Sequence, residues 1–116
     1  MEVSPFVLKD YETLDGKCPY QEWYSSLLER DLISAVTIEK RIRRLEQGLL
    51  GDYDEVGEGI LELRIHVGQG FRVYVRQIGK AMMLLLIGGD KKSQAQDIAN
   101  AKKYWTEFKS RNKGVK

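Results

Sequence analysis

From Leu61 onward, apolar and polar residues alternate. Leu61, Leu63, Ile65 and Val67 share one side, and Glu62, Arg64 and His66 the other. After Gly68-Gln69-Gly70 the alternation resumes, with Phe71, Val73 and Val75 opposite Arg72, Tyr74 and Arg76. A period of two predicts two strands, each with one buried face. A three-residue loop containing glycine predicts a hairpin that pairs Val67 with Phe71, His66 with Arg72, Arg64 with Tyr74 and Glu62 with Arg76. This register matches apolar to apolar and polar to polar, whereas a slip of one residue would turn an apolar side to water. Ala81 to Ile87 is apolar throughout, which predicts a central strand buried on both faces. Gly79-Lys80 is the turn before it, and Gly88-Gly89 is expected to end it.

Ser93 with Gln96 three residues later reads as a capping box, so a helix is predicted from Gln94 to about Arg111. Its apolar stripe is Ile98, Ala101, Trp105 and Phe108, with Tyr104 beside it. Asn112 to Lys116 is a polar, basic tail, expected to fray. Toward the N-terminus, Val3 to Lys9 predicts a short strand in which Pro5 suits an edge or a first residue. Tyr11 to Lys17 is turn-like. Pro19 opens a helix to about Glu29 that buries Trp23, Leu27 and Tyr20. Asp31 is the expected N-cap of a second helix, Leu32 to Gln47, with Leu32, Ala35, Val36, Ile38, Ile42 and Leu45 as its apolar stripe and Gly48 as its C′ residue. Lys40, Arg41, Arg43 and Arg44 lie near that helix's C-terminal end, where cations favour the dipole, and read as a solvated basic face, with contact to RNA or an acidic protein as the alternative. Gly51-Asp52 is a turn, and Tyr53 to Val56 a short strand. The pattern predicts one α+β domain over residues 1–116: an N-terminal strand, a helix hairpin covering one sheet face, an antiparallel meander forming a curved sheet, and a C-terminal helix.

Composition fits an ordinary globular chain of 116 residues, 42% hydrophobic and 31% charged. No apolar run is long enough to span a bilayer, and the N-terminus lacks the pattern of a signal peptide. A single cysteine, Cys18, forms no internal disulfide, so a cytoplasmic location is expected. Charge is uneven. Met1 to Gly59 carries 7 Lys/Arg and 13 Asp/Glu, net −6, and Ile60 to Lys116 carries 12 and 4, net +8, which sum to the overall +2. The basic half favours a polyanionic partner.

One cysteine and one histidine do not make a usual zinc set, and the chain has no P-loop, dinucleotide fingerprint or nucleophile elbow, so neither metal nor cofactor is expected. Arg64, His66, Arg72 and Tyr74 cluster on one strand face. Lys91, Lys92 and a helix N-terminus lie at the end of the central strand, where unpaired amides and the dipole attract anions. Such a set can cleave RNA, whose 2′-OH is an internal nucleophile: the protein must orient it, take its proton, and stabilise the phosphorane charge. Arg64, Arg72 and Lys91 supply charge stabilisation, and His66 or Asp97 takes the proton. Asp97, one turn into the last helix, is placed to point back toward the basic face. Tyr74, Arg76, Lys92 and Gln94 are the expected RNA contacts around them.

The run GDYDEVGEGILELRIHVGQGFRVYV, followed by LLLIGGDKKSQAQDIANA and preceded by RIRRLEQGLLGD, resembles the RelE/ParE superfamily of type II toxins, specifically its HigB-like branch of addiction-module killer proteins. The resemblance runs from about Phe6 to Tyr104. It implies a compact sheet-and-helix toxin of bacterial or phage origin that cleaves mRNA in the ribosomal A site and is neutralised by a cognate antitoxin, here expected to be of the helix-turn-helix type. Arg64 and Arg72 match the family's strand-borne basic residues, and Lys91 its basic residue after the last strand. RelE-type toxins carry a catalytic tyrosine in the final segment, and this chain departs from them with Asp97. His66 stands in for a second basic strand residue. The ParE branch uses the same fold to inhibit DNA gyrase, which is the alternative, and an inactive relic that binds only its antitoxin is a third reading.

Overall fold

The computed structural model describes residues 5–115. Strand β1 (Val7–Asp10) leads to helices α1 (Pro19–Arg30) and α2 (Leu32–Glu46). Strands β2 (Tyr53–Glu55), β3 (Ile60–Ile65), β4 (Phe71–Ile78) and β5 (Met82–Asp90) follow, and then helix α3 (Gln94–Arg111). The five strands form one sheet in the order β1-β5-β4-β3-β2. Strands β2 to β5 are an antiparallel meander, and β1 adds to β5 in parallel, so the α+β domain has a mixed sheet. The first strand begins later than Val3, which with Ser4 lies outside the described residues, as does Lys116. It occupies a sheet edge, where the nearby Pro5 removes no ladder bond.

Each helix forms where its sequence signals it. Pro19 opens α1, where a missing N–H costs nothing. The Asp31 carboxylate accepts a hydrogen bond from the Ser34 N–H at 3.1 Å and caps α2. Gly48, with φ 89°, supplies the left-handed residue after α2. The α1–α2 hairpin packs Leu27, Ala35, Ile38, Ile42 and Leu45 against Leu63, Ile65, Val73, Val75, Met83 and Leu85. Leu32 (62% exposed) and Val36 (43%) do not join that stripe, contrary to expectation. The buried spacing Ala35–Ile38–Ile42–Leu45 points away from them.

Helix α3 covers the other face. Ala101, Trp105 and Phe108 pack on Ile60, Tyr74, Leu84 and Leu86. The apolar run of β5 therefore serves two cores in alternation, Met83 and Leu85 one way, Leu84 and Leu86 the other.

Three local expectations are corrected. The β3–β4 register pairs Ile65 with Phe71, Arg64 with Arg72, Glu62 with Tyr74 and Ile60 with Arg76. It is displaced by two residues from the sequence-based register, because residues 66–70 close a longer loop through Val67 N–H to Ile65 O and Gly70 N–H to Val67 O. An even displacement leaves every side chain on its own face. Gly88 and Gly89 do not end β5: they pair with Val73 and Arg72, and the strand runs to Asp90. They are flat points in it. A side-chain carbon at Gly88 would overlap the Trp23 ring on one face, and one at Gly89 would overlap the Asp97 carboxylate on the other. Finally, Ser93 forms no capping box. The Asp90 Oδ1 accepts from the Lys92 and Ser93 amides at 2.9 and 3.1 Å, and the Ser93 hydroxyl donates to Asp97.

Gly88→Ala is expected to destabilise the fold by about 1–3 kcal/mol, the usual range for overpacking. In a Trp23→Leu background the same change is expected to cost less. Equal costs in urea denaturation of the four proteins of this cycle would show that Trp23 is not the reason for the glycine.

Candidate functional site

The polar face of the β3–β4 hairpin converges on one carboxylate. Glu62, on β3, is almost fully buried beneath the start of α3. Its Oε2 accepts from the Tyr74 hydroxyl and from the Gln94 Nε2, both at 2.9 Å. Arg64 Nε approaches its Oε1 at 3.4 Å, and Arg72 Nε approaches Oε2 at 3.6 Å. A carboxylate taken out of water at this depth persists only when donors and cations surround it. Burial, then the bond to Glu62, pushes the Tyr74 phenol far above its ordinary pKa, so it is a fixed donor.

Arg72 is held differently. Its side chain is 14% exposed, yet among the described residues no hydrogen bond engages its guanidinium, and its buried Nε lacks a partner of hydrogen-bond geometry. It sits opposite Gly89, three residues before the end-capping segment of α3 begins at Lys92. Lys91 is exposed, and its aliphatic chain crosses Gly70, where an added carbon would lie 2.8 Å from the Lys91 Cε. Lys92 is exposed beside it. Both lysines lie in the turn between β5 and α3.

Asp97 is 7% exposed and lies against Gly89, bonded to Ser93. It forms no ion pair with Arg72 or Lys91, so it does not hold either in place. Burial raises its pKa, against the lowering effect of the Ser93 bond.

Arg64 runs along the strip to a second group. Its Nη2 pairs with Asp54 at 3.0 Å and its Nη1 with Asp52 at 3.6 Å. His66 lies just beyond β3, its side chain 73% exposed, with Nε2 2.6 Å from the Asp52 Oδ2. That hydrogen bond, more than the nearby Arg64, holds the Asp52 carboxyl below the usual carboxylate range. His66 is therefore paired with an acid and does not face Arg72 across the hairpin as the sequence-based register had it.

The structure brings Arg64, Arg72 and Gln94 together around Glu62, places Lys91 and Lys92 at the neighbouring helix start, and sets His66 at the far end of the strip. Three of the four expected RNA contacts are engaged within the protein instead. Tyr74 is wholly buried beneath α3. Arg76 stacks over the Trp105 ring, 4.4 Å from its centroid, and donates to the Glu58 and Gln77 carbonyls. Gln94 is occupied by Glu62. Sequence reasoning missed Glu62 as the hub and Asp52 as the partner of His66. A lone acid at Glu62 amid alternating basic positions was the available signal for the first. For the second there was none, since Asp52 lies in a turn. Among the described residues, no three side chains of the His, Cys, Asp or Glu type converge closely enough to hold a metal ion, and no helix is long and apolar enough to cross a membrane.

The Asp97 environment has a measurable consequence. A carboxyl whose folded pKa is raised contributes most to stability when protonated, and that contribution is lost as pH rises through the folded pKa. Asp97→Asn is expected to be more stable than wild type at neutral pH, with the gap closing toward about pH 3.5, below the ordinary Asp value. Urea denaturation across that range checks it. A gap that does not vary with pH would contradict the burial argument.

No protein-family model matches the chain. It is 43% identical over 83 residues to an uncharacterized protein of Haemophilus influenzae, a match covering 72% of this chain and 82% of that relative. The chain belongs to the same family as that protein.

Proposed function

We propose that the chain is a type II toxin of the RelE/ParE kind, HigB-like, that cleaves mRNA on the ribosome without a metal and is neutralised by a helix-turn-helix antitoxin. The observation that carries this reading is the Arg72 guanidinium, mostly buried, charged and without a hydrogen-bond partner, beside Lys91 and the start of α3. A guanidinium anchored near a buried carboxylate, with its remaining donors unengaged, is arranged to receive a phosphate oxygen. In this reading Arg72 and Lys91 stabilise the charge that develops on the phosphorane. Arg64, held by Glu62, Asp52 and Asp54, positions the strand of substrate between them.

Proton transfer falls to His66. The sequence left His66 and Asp97 as alternatives; the Asp97 carboxyl is buried and bonded to Ser93, whereas His66 is open to a substrate. Asp52 engages Nε2 and so leaves Nδ1 to take the 2′-OH proton, as an orienting carboxylate does in other His-based sites; the 2′-oxygen then bonds to phosphorus while the P–O5′ bond breaks, and the leaving 5′-oxygen takes its proton from water.

Expression alone is expected to arrest growth, with translated mRNAs cut inside their reading frames. Intact mRNA with gyrase-dependent DNA breaks would replace this reading with gyrase inhibition. On programmed ribosomes, Arg72→Ala is expected to lower cleavage by about 10²–10³-fold, the loss typical of one charge-stabilising donor. It also leaves Glu62 less compensated and costs about 1–3 kcal/mol of stability. Arg72→Lys, which keeps the charge, is the control for folding and is expected to retain a fraction of the activity. His66→Gln and Asp97→Asn separate the two proton acceptors. A dead Asp97→Asn alongside a fully active His66→Gln would reverse the assignment.

A further inference from the structure

Between α2 and the β2–β3 edge lies a groove of about 240 Å³ whose walls include Lys40, Arg41, Arg44, Asp52, Arg64 and His66. Its floor holds a buried cation that only Asp52 offsets, beyond ion-pair distance. Arg41 is only 8% exposed. Its Nη1 donates to the Arg64 carbonyl, and its Nη2 to the Leu50 and Asp52 carbonyls, each at 2.6 Å. Carbonyls satisfy donors but neutralise no charge, and among the described residues no carboxylate pairs with this guanidinium. Its Nε lacks any partner. The arrangement is built into the chain turn. A side-chain carbon at Gly51 would sit 2.7 Å from the Arg41 Nε, so only glycine lets the guanidinium lie there.

Lys40 and Arg44 stand at the rim, four residues apart and hence on one helix face. Neither has a carboxylate partner among the described residues, while Arg43 on the adjoining face is paired with both Glu39 and Glu46. Like charges at this spacing are mutually unfavourable. Here they overlie a third, buried charge, and Asp52 is the only acid in the groove wall.

We infer that this groove binds a phosphate of a polynucleotide backbone. Arg64 belongs both to the groove and to the strip that leads to Arg72, so a single strand can pass from one to the other. The polynucleotide identity of the occupant rests on the RNA-cleaving function proposed above; the groove adjoins that site and shares Arg64 and His66 with it, while Lys40, Arg41 and Arg44 take no part in cleavage.

The test is a ¹⁵N–¹H NMR titration with inorganic phosphate, then with a short 2′-O-methyl RNA strand, which lacks the hydroxyl that cleavage needs. Phosphate is expected to shift the amides of α2 from Thr37 to Arg44 and those of Asp52 and His66. In a Lys40→Ala/Arg44→Ala double variant those shifts are expected to vanish. Affinity for the oligonucleotide should fall at least about tenfold at low salt, and the slope of log affinity against log salt should drop by about 0.7, the contribution of one single-strand phosphate contact. The same spectra report whether the double variant is folded. Unchanged affinity and slope overturn the inference, and so does an acidic peptide that shifts the groove while phosphate and oligonucleotide leave it undisturbed. The 2′-O-methyl strand cannot be cut, so occupancy of the groove is read whether or not the protein cleaves mRNA.

Discussion

The Glu62 carboxylate sets the terms for one whole face of the sheet. It is a charge buried in the middle of a strand, and the fold meets its desolvation cost with four side chains from three elements: Arg64 on its own strand, Arg72 and Tyr74 on β4, and Gln94 at the start of α3. Gln94 reaches it from the helix, so the same contact ties the start of α3 to the hairpin. The apolar residues farther along α3 then fall onto Ile60, Leu84 and Leu86. Polar strip and second core are thus one continuous layer, wet at the His66 end and dry at the Trp105 end.

That layer explains how far the sequence could be read. Alternation along β3 and β4 shows which residues share a face, and those assignments hold. It does not show what lies on that face. Tyr74 and Arg76 alternate with valines just as Arg72 does, yet α3 buries the tyrosine and stacks a tryptophan under the second arginine. The hairpin register escaped for a related reason. Displacing one strand by two residues preserves every apolar match, so only the loop could decide, and it did so through left-handed Gly68 and Gly70, φ 56° and 89°. Gly88 and Gly89 were legible as glycines but not as strand. Their meaning depends on Trp23 and Asp97, which are distant in sequence and pack on opposite faces of β5. Helix positions, in contrast, followed from local chemistry: Pro19, Asp31 and Gly48 act within a turn of themselves.

Arg41 shows the limit most clearly. Sequence reasoning grouped it with Lys40, Arg43 and Arg44 as one more solvated cation, although its spacing, three after Ile38 and four before Leu45, sets it at the edge of the buried stripe. In three dimensions it crosses to the sheet edge and ties α2 to three carbonyls of the β2–β3 region. What permits the guanidinium to lie there is the missing side chain at Gly51, ten residues later, and that the periodicity of α2 does not record.

The distribution of carboxylates decides which cations can act on a partner. Exposed pairs such as Arg43 with Glu39 and Glu46, or Arg111 with Glu107, contribute little stability but remove those arginines from competition for an outside anion. Arg64 is held by three acids and serves as a spacer. Arg72, Arg41, Lys40 and Arg44 are left without a hydrogen-bonded acid, and two of these four are largely buried. Burial matters here because a guanidinium screened from water interacts more strongly with an arriving phosphate than a surface lysine does, and loses less of that interaction to salt. A strand of RNA lying across Arg64 would meet one such guanidinium on each side of it. Arg64, neutralised by its acids, would set the spacing, and the two guanidiniums with donors left open would supply the attraction.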